Sequence, residues 1–496
     1  MWFIQQLLLV FVFFLIFGKY LKIIWKARSL PPGPSPFPIF GNLWTLCFNM
    51  NPETLRKVSK LYGNIYTVWI GETPVIVLQG YKAVKNAIVS HSEELSGRPV
   101  SNLMKDMSNG KGIVVSNGHI WKQQRRFSLM TLRNLGLGKH GLESRIQKEA
   151  QGLVEVLATQ NGKPIDVSNF IVHSVANVIS AVVFGHRFSI DDPTFQKLVT
   201  INQEILDNLG SKWGTLYNAF PWLMKHLPGP HQKVFKNREY LGDFVSKEVR
   251  IHQQNKSPEE PDDIIYHYLA QIEKTIGDPD STFDMANLTQ IVADLFTAGT
   301  ESTATSLQWA ILFMLAYPDI QEKIHKELDE VLHDSSAITY EDRKRLPYTN
   351  AVIHEIQRFG NIASVGVMRR SIKDITLDGY PIKKDTNILP NLDSVLRDPQ
   401  HWKTPNKFNP EHFLDKDGNF KSNEAFIPFS AGHRICLGEQ LARFELVIFF
   451  ITLMRTFRFQ LPEGVTEVNT KYIVKTTLQP HPYKVCVIQR RALHHL

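Results

Sequence analysis

The first 28 residues combine a long apolar run with a basic flank. Of the 16 positions from Trp2 to Phe17, 14 are apolar, and Gln5 and Gln6 are the exceptions. The apolar character continues to Trp25, so the run approaches the roughly 20 residues that a bilayer-spanning helix needs. A cleaved signal peptide is the alternative, but no small-residue cleavage motif follows the run. We therefore expect an uncleaved membrane anchor over residues 1–28.

Positive charge and then proline follow the apolar run. The basic residues are Lys19, Lys22, Lys26 and Arg28. By the positive-inside tendency, they keep the rest of the chain on the cytosolic side of the membrane. The sequence PPGPSPFP, from Pro31 to Pro38, restricts backbone angles and lacks amide donors. It predicts a stiff hinge over residues 29–42, followed by a globular body over residues 43–496.

Apolar residues at helical spacing recur through the body. The helical patterns cover Trp121–Arg133, Leu142–Ala158, Val234–Gln253 and Leu288–Ala316. A β-hairpin is predicted over Asn64–Gly80, where two β-rich runs flank the turn sequence GETP. Short strands and turns return in the last third, and no linker or repeat divides the body. The pattern alone predicts a fold that is mainly α with a small β portion.

Cysteine and charge content narrow the chemistry. The three cysteines, Cys47, Cys436 and Cys486, are an odd number without CxxC spacing, which supports neither a disulfide framework nor a zinc cluster. The 56 Lys and Arg residues outnumber the 48 Asp and Glu residues, for a formal net charge of +8. Residues Gly136–Gly141 fit G-x-G-x-x-G, but a basic helical segment precedes them where a dinucleotide site needs a strand. We therefore expect no flavin or nicotinamide site in this chain.

The segment FSAGHRICLG, Phe429–Gly438, places Cys436 in a loop that suits a metal-bound thiolate. Such a thiolate needs nearby N–H groups or a cation, and small neighbours. Gly432 and Gly438 permit backbone conformations or close approaches that a side chain would block. The apolar helix that follows puts Cys436 near a helix N-terminus, where the dipole favours negative charge. The other two cysteines are interpreted as small core residues.

These residues together resemble the haem-binding signature of the cytochrome P450 family. The matching positions are Phe429, Gly432, Arg434, Cys436 and Gly438. Glu355 and Arg358 in HEIQRF resemble the ExxR pair of the family, and the segment PEHF resembles its partner motif, with His412 where many members carry arginine. The resemblance covers essentially the whole chain and is closest to vertebrate microsomal members. It implies the cytochrome P450 fold, a single haem-thiolate catalytic domain over residues 43–496, and haem b with Cys436 as the axial iron ligand.

The resemblance also implies which residues hold the haem. The candidates are Arg98, Trp121, Arg125, Arg369, Phe429, Arg434 and Cys436. Trp121 and Arg125 match the WxxxR helix of the family, in which both residues bind a haem propionate. Arginine suits this task because its planar guanidinium can hold a carboxylate through two hydrogen bonds.

The long helical pattern carries the candidate catalytic residues Glu301, Ser302 and Thr303. A thiolate ligand favours O–O cleavage, which needs a supply of protons, so an acid and an alcohol are the expected relay. Ser302 stands where the family usually has threonine. Serine keeps the hydroxyl but lacks the β-branch that restricts the rotamer. The sequence therefore offers two hydroxyl donors for the relay, Ser302 and, as the alternative, Thr303.

The substrate pocket is predicted by resemblance, and its residues are mostly apolar, which implies a lipophilic substrate. They are Val114, Leu206, Leu209, Phe296, Thr297, Ala298, Ile362, Ala363, Val367 and Leu478. Thr297 replaces a common phenylalanine, which enlarges or polarises the pocket. Ser364 replaces a common proline, which is expected to loosen its segment. Neither departure identifies the substrate or the position of attack.

Electrons must come from another protein, which the resemblance identifies as the NADPH-dependent cytochrome reductase, with cytochrome b5 as a second partner. The docking candidates are Lys122, Arg126, Arg133, Lys139, His433 and Arg443. The function implied is insertion of one oxygen atom into a fatty acid, steroid or foreign compound. The alternative is a haem-thiolate isomerase or dehydratase that acts on lipid peroxides without a reductase. The expected location is the endoplasmic reticulum membrane, with membrane lipid as a further partner and no nucleic-acid partner.

Overall fold

A computed structural model describes residues 2–46, 51–136, 140–254, 262–332 and 337–490. Helices dominate it. The α-helices are α1 Trp2–Ala27, α2 Pro52–Tyr62, α3 Gly80–Lys85, α4 Asn102–Ser108, α5 Gly118–Asn134, α6 His140–Ala158, α7 Ser168–Val183, α8 Pro193–Leu209, α9 Lys212–Ala219, α10 Pro221–Met224, α11 Pro230–Gln254, α12 Ile264–Lys274, α13 Met285–Ala316, α14 Pro318–Val331, α15 Pro347–Gly360, α16 Leu392–Leu396 and α17 Glu439–Thr456. The mainly α prediction is confirmed.

The strands form small sheets. They are β1 Ile65–Ile70, β2 Thr73–Leu78, β3 Pro164–Ile165, β4 Arg369–Arg370, β5 Ile375–Leu377, β6 Tyr380–Ile382, β7 Asn387–Pro390, β8 Phe457–Gln460, β9 Tyr472–Val474, β10 Leu478–Pro480 and β11 Val485–Gln489. The sheet orders are β1-β2-β7-β4, β3-β11-β8, β9-β10 and β5-β6. β1 and β2 form the predicted hairpin, with Val68 opposite Val75. Short π and 3-10 segments span Asn86–Ser90, Tyr340–Lys344, Pro410–Phe413 and Gly432–Arg434.

The four predicted helices of the body are confirmed as α5, α6, α11 and α13, with ends that differ by a few residues. α13 shows why. Its N-cap is Asp284, whose side chain accepts a hydrogen bond from the Asn287 amide, so the helix begins at Met285 rather than at the first apolar position. Polar residues with a capping function extend helices beyond the apolar pattern.

The core forms where α6, α7, α13 and α17 pack together. α7 is mostly apolar and is buried from Val175 to Val183, as expected for an internal helix. α13 is buried over most of its length, yet Ala298 is exposed and Ser302 is half-buried near its middle. This exposed stretch inside a core helix marks the wall of an internal cleft.

The N-terminal helix α1 differs from every core helix in its surface. The helix has 26 residues and is long and apolar enough to cross a bilayer. Its apolar side chains are exposed apart from a few such as Ile23. At 1.5 Å per residue, the helix spans about 39 Å. α1 is therefore consistent with a membrane anchor.

The proline-rich segment makes more contacts than a free hinge would. The Thr67 amide donates to the Pro32 carbonyl (2.9 Å), and the Thr67 hydroxyl donates to the Pro31 carbonyl (2.8 Å). Asn42 continues the attachment, because its side-chain oxygen accepts from the Trp69 amide (2.8 Å). Residues from Pro31 onward therefore lie against β1, and this part of the predicted hinge is fixed to the body.

Candidate functional site

The loop that carries Cys436 is held in place by backbone contacts. The Cys436 amide donates to the Phe429 carbonyl (3.0 Å), and a 3-10 turn lies between the two residues. Gly432 has φ +72°, and a Cβ atom there would lie 1.9 Å from the Ile88 carbonyl oxygen, so only glycine fits. Gly438 differs, since its φ is −88° and an added Cβ would meet no protein atom. The expected steric need for glycine is confirmed at Gly432, and the protein itself imposes none at Gly438.

The Cys436 side chain is accessible, although it lies within the fold, so it faces the internal cleft rather than the outer surface. Burial raises the pKa of its thiol, whereas the amides of Gly438 and Glu439 and the Arg125 guanidinium act in the opposite direction. These donors lie where a thiolate would need them. Among the described residues, no group of three or more His, Cys, Asp or Glu side chains could hold a metal ion. Iron bound at Cys436 would thus need its other ligands from a prosthetic group such as haem.

Four arginines lie around this loop and bind backbone carbonyls. We call Arg98, Arg125, Arg369 and Arg434 the arginine cluster. Arg125 donates to Ile435 (2.8 Å), and Arg434 donates to Ser96 (2.7 Å) and Ser116 (2.8 Å). The Arg434 guanidinium lies 3.8 Å from the centre of the buried Trp121 ring. Arg98 donates to the carbonyls of residues 367 and 368, and Arg369 donates to the Ser430 hydroxyl (3.0 Å).

The positive charges of the arginine cluster are not balanced by carboxylates of the described residues. Burial, with a smaller contribution from the charges of neighbouring cluster arginines, lowers the pKa of Arg98 to about 10, of Arg369 to about 9 and of Arg434 to about 8. In the described parts of the chain, none of the four forms a salt bridge with a carboxylate, and the buried Nε atoms of Arg98 and Arg369 lack hydrogen-bond partners. Buried charges are normally paired. The cluster therefore fits a dianionic group, and the two propionates of haem satisfy this requirement.

Glu355 and Arg358 form a fully buried ion pair. Arg358 Nε donates to Glu355 Oε2 and Arg358 Nη2 donates to Oε1, both at 2.7 Å. Arg358 also donates to the carbonyls of Leu396 (2.7 Å), Pro405 (2.9 Å) and Lys407 (2.9 Å). The pair therefore fastens the 396–407 segment to α15.

His412 also contacts the carboxylate of the Glu355–Arg358 pair, and its hydrogen bonds show how a histidine can stand where many family members carry arginine. Its Nδ1 lies 3.2 Å from Glu355 Oε2, and its Nε2 accepts a hydrogen bond from the Thr404 amide (3.1 Å). An amide can only donate, so the ring proton must lie on Nδ1 and be donated to Glu355. The Asn409 amide adds a further donor to Glu355 Oε1 (2.7 Å). A neutral histidine thus performs the donor role while Arg358 alone supplies the positive charge.

Glu301 and Ser302 lie side by side on α13 but make different contacts. Glu301 Oε1 accepts from Thr305 (3.3 Å), Thr477 (3.0 Å) and Gln479 (2.6 Å). Ser302 Oγ donates to the Ala298 carbonyl (2.8 Å) and remains accessible from the cleft. The acid is thus fixed to the β9–β10 hairpin, and the hydroxyl stays free to accept.

Thr303 does not join this pair. Its side chain is buried and hydrogen-bonds to Glu445 on α17, on the face of α13 that packs into the core. The sequence interpretation of Thr303 as an alternative relay donor therefore lacks support from its position. The sequence did not predict this contact, because nothing in the residues around Glu445 indicates that its partner is Thr303 on α13. Burial raises the pKa of Glu445 to about 8, and the hydrogen bond from Thr303 opposes this shift.

We expect Glu445 to make stability depend on pH. Its pKa is higher in the folded protein than in the unfolded chain, where it is near 4.5. The contribution of Glu445 to stability is therefore most favourable below pH 4.5 and is lost as pH rises towards 8. Glu445→Gln should remove this loss, which urea unfolding midpoints at pH 5 to 8 would detect. Glu330→Gln, at an exposed position of α14, should keep the wild-type dependence. An unchanged profile for Glu445→Gln would contradict the assignment.

The β9–β10 hairpin brings predicted pocket residues together. The Leu478 amide donates to the Ile362 carbonyl (2.9 Å), and the Thr476 hydroxyl donates to the Leu206 carbonyl (2.5 Å). Gln479 holds Glu301 on α13. One short hairpin therefore contacts three walls of the cleft.

The remaining pocket candidates divide by exposure. Val114 and Val367 are 41% and 57% exposed, which is unusual for valine beside a core, while Phe296 is fully buried. The centres of the Phe296 and Phe184 rings lie 6.1 Å apart, so Phe296 belongs to the core rather than to an open wall. Partly accessible positions are Leu209, Thr297, Ile362 and Ala363. Ser364 is buried, and its carbonyl accepts from the Asp393 amide (2.6 Å), so this segment is held by the backbone despite the missing proline.

The docking candidates on α5 share one face. Lys122, Arg126 and Arg133 are all exposed, and at 100° per residue they point within about 40° of one another. The described residues include no salt-bridge partner for them. Arg443 differs, because it pairs with Glu439 (2.9 Å). His433 is exposed with its Nδ1 2.6 Å from Ser92 Oγ. Lys139 lies outside the described residues.

Comparison with known proteins agrees with this geometry. The family model described as Cytochrome P450 matches residues 31–487. Cytochrome P450 2J2 of Homo sapiens is 42% identical over 484 residues, which cover 98% of this chain and 96% of the relative. Cytochrome P450 2J5 of Mus musculus is 42% identical over 465 residues (93% and 92%), and cytochrome P450 2A13 of Homo sapiens is 40% identical over 476 residues (95% and 96%).

Proposed function

The chain belongs to the cytochrome P450 family and is a haem-thiolate monooxygenase, and on that premise we propose that it inserts one atom of O2 into a fatty acid, steroid or foreign compound. Electrons come from an NADPH-dependent reductase, with cytochrome b5 as a second donor. The helix α1 anchors the protein in the endoplasmic reticulum membrane, and the catalytic body lies on the cytosolic side.

The observation that carries this proposal is the polar pair Glu301 and Ser302 beside a cleft with apolar walls. Exposed valines at 114 and 367 border the arginine cluster, since Arg434 contacts Ile113 and Arg98 contacts residues 367 and 368. An apolar wall favours a lipophilic substrate by removing its surface from water. An acid and a hydroxyl near that wall are suited to moving protons.

Each residue group has a distinct part in the mechanism. Haem held by Cys436 would supply oxygen activation, which a thiolate ligand promotes. The arginine cluster would bind the haem propionates and fix the orientation of the group. Ser302 would hold a proton at its Oγ on the accessible face of α13, and Glu301, which the hairpin holds in place, would be the acid of the relay. The apolar walls would position the substrate and exclude bulk water.

The experiment that tests the function is turnover of a substrate panel by the purified full-length protein in lipid. Dodecanoic acid, testosterone and 7-ethoxycoumarin are incubated with NADPH, with and without the reductase. A product that contains ¹⁸O from ¹⁸O2 and requires reductase supports the proposal. The alternative class, an isomerase or dehydratase, instead converts a fatty-acid hydroperoxide without reductase or NADPH. That result, with no oxygenated product from the panel, would replace the monooxygenase proposal.

Ser302→Ala should uncouple electron use from product formation. The variant loses the accessible Ser302 hydroxyl, so protons are delivered less efficiently. More of the oxygen consumed is then released as hydrogen peroxide instead of entering product. We expect a severalfold rise in hydrogen peroxide per NADPH consumed, measured beside product. Ser302→Thr keeps the hydroxyl and adds a β-branch that restricts its rotamer, so coupling should equal the wild-type value or exceed it. Thr303→Val serves as a comparison, because the Thr303 side chain lies in the core. Unchanged coupling in Ser302→Ala would remove Ser302 from the relay.

Reversing charge on the exposed face of α5 should weaken reductase binding. In the Lys122→Glu/Arg126→Glu variant, the reductase concentration for half-maximal rate should rise on the order of tenfold at low salt. The difference should shrink with added salt, because screening removes the attraction. The carbon monoxide spectrum should not change. Lys236→Glu, at an exposed site on α11, is the control. An effect of Lys236→Glu about half as large, in proportion to its smaller change of charge, would mean that net charge alone matters.

A further inference from the structure

A buried histidine and a buried aspartate join the end of α11 to the start of α12. His252 lies in the last turn of α11, and Asp263 is the N-cap of α12, where its Oδ1 accepts a hydrogen bond from the Tyr266 amide (2.9 Å). His252 Nε2 lies 3.2 Å from Asp263 Oδ2. The side chains are 6% and 1% exposed, respectively. We call this pair the α11–α12 joint.

The contacts of His252 require a proton on both ring nitrogens. Nδ1 lies 2.7 Å from the Glu248 carbonyl oxygen, and Nε2 faces the Asp263 carboxylate. Neither oxygen can donate while Asp263 is ionised, so each nitrogen must donate. His252 is therefore an imidazolium ion in this arrangement. Loss of one proton would leave a lone pair of the ring facing an acceptor oxygen.

The protonated ring also compensates a buried negative charge. Among the described residues, the salt-bridge partner of Asp263 is His252, whereas Arg145 on α6 pairs with the adjacent Asp262 (3.0 Å). The two helix dipoles act in the same direction, because the C-terminal end of α11 favours a cation and the N-terminal end of α12 favours an anion. A neutral His252 would leave Asp263 buried without a compensating cation, which is unfavourable.

The pKa of His252 gives the direction of the pH response. Burial opposes protonation of the ring, but the hydrogen bonds to Asp263 and to the Glu248 carbonyl outweigh it, so the pKa of His252 lies above the 6.5 of an unperturbed histidine. The contribution of the protonated ring to stability is therefore fully present below pH 6.5. It is lost as pH rises through the pKa of the folded protein.

The other titratable groups around His252 do not replace its charge. His186, on the segment after α7, has its Nε2 3.0 Å from Glu248 Oε2, so its proton is donated to Glu248 rather than to Asp263. The Tyr266 ring of α12 lies with its centre 4.5 Å from that of His252. Burial raises the pKa of Tyr266, so this hydroxyl stays neutral over the same range. The joint therefore depends on the proton of His252.

α12 supports the helix that carries part of the haem site. The Tyr268 hydroxyl of α12 donates to Gln124 Oε1 (2.9 Å), and the centres of the Tyr268 and Phe127 rings lie 5.0 Å apart. Gln124 and Phe127 lie on α5, the helix of Trp121 and Arg125. A change at the start of α12 thus occurs in a helix that packs directly against α5.

We propose that the α11–α12 joint is a pH-sensitive switch. With His252 protonated, the joint holds the first turn of α12 against the end of α11. With His252 neutral, the first turn is released while the core remains folded. The device is separate from the cleft and needs neither substrate nor reductase.

Hydrogen–deuterium exchange of the full-length, haem-loaded protein in detergent tests the proposal, with protection factors compared at pH 6 and pH 8.5. In the wild type, peptides from residues 264–272 should lose protection severalfold at the higher pH, relative to the α7 peptide 175–183 of the same sample. The α7 reference removes changes in global stability, including the one expected from Glu445. Asp263→Asn keeps an N-cap oxygen for the Tyr266 amide but removes the charge, so relative protection should no longer depend on pH. His252→Gln should remove the dependence as well.

The matched control is His267→Gln, at a half-buried position of the same helix, which should keep the wild-type dependence. A dependence that His186→Gln abolished would assign the effect to the His186–Glu248 pair, and the proposal would fail. Equal relative protection of the wild-type peptides at both pH values would also overturn it. So would an Asp263→Asn protein in which α12 still lost protection at pH 8.5.

Discussion

Replacing Cys436 with serine should abolish monooxygenase activity and the spectrum of a thiolate-ligated haem. A serine hydroxyl does not ionise near neutral pH, so the negative ligand is lost even though the shape of the side chain is nearly preserved. The loop should still form, because its backbone contacts from Phe429 to Cys436 do not involve the sulfur. The measurement is the difference spectrum of the dithionite-reduced protein with and without carbon monoxide.

The matched control for this substitution is Cys486→Ser. Cys486 is the other free cysteine in the described part of the chain and lies half-buried on β11, where it pairs with Gln460 on β8. Its replacement should leave the carbon monoxide spectrum unchanged. A Cys436→Ser protein that kept the thiolate spectrum would show that the ligand is elsewhere.

Glu355→Gln should prevent accumulation of folded haem protein. The substitution leaves Arg358 fully buried with no carboxylate, and breaking a buried ion pair costs about 3–5 kcal/mol. It also replaces one of the two carboxylate oxygens shared by Arg358, His412 Nδ1 and the Asn409 amide with an NH2 group, so these donors cannot all keep an acceptor. A loss of this size is a large share of the 5–15 kcal/mol that typically separates folded from unfolded protein. The measurement is the yield of soluble haem protein and the midpoint of urea unfolding.

An exposed ion pair provides the comparison for Glu355→Gln. Glu322 pairs with Arg458 at 2.6 Å, with exposed fractions of 61% and 40% for the two side chains. Glu322→Gln should leave yield and unfolding midpoint close to wild type, because solvent already screens this pair. If the two variants behaved alike, burial of the Glu355 pair would not be what stabilises this region.

Local sequence predicted the helices because helix formation depends on neighbouring residues, and apolar spacing identified α5, α6, α11 and α13. The steric need for Gly432 was expected from the loop motif, although the Ile88 carbonyl that imposes it lies on a distant segment. The buried contact of Glu355 with His412 was also expected, since the family resemblance supplied a pairing across 57 residues.

The features that sequence did not predict depend on contacts between distant segments. Thr303 and Glu445 meet only because α13 and α17 pack side by side, and neither local pattern records that packing. The family resemblance implied that Phe296 lines the pocket, but its ring packs near Phe184 in the core. The proline segment has few amide donors, yet its carbonyls accept from Thr67, which composition does not reveal.

The β9–β10 hairpin, residues 472–480, has a consequence for how relatives diverge. It contacts Ile362 and Leu206 through its backbone and Thr476, and it fixes Glu301 through Thr477 and Gln479. A single substitution in this hairpin therefore changes both the shape of the cleft and the position of Glu301. We therefore expect relatives that differ in this hairpin to differ both in the substrate they oxidise and in how efficiently they use electrons.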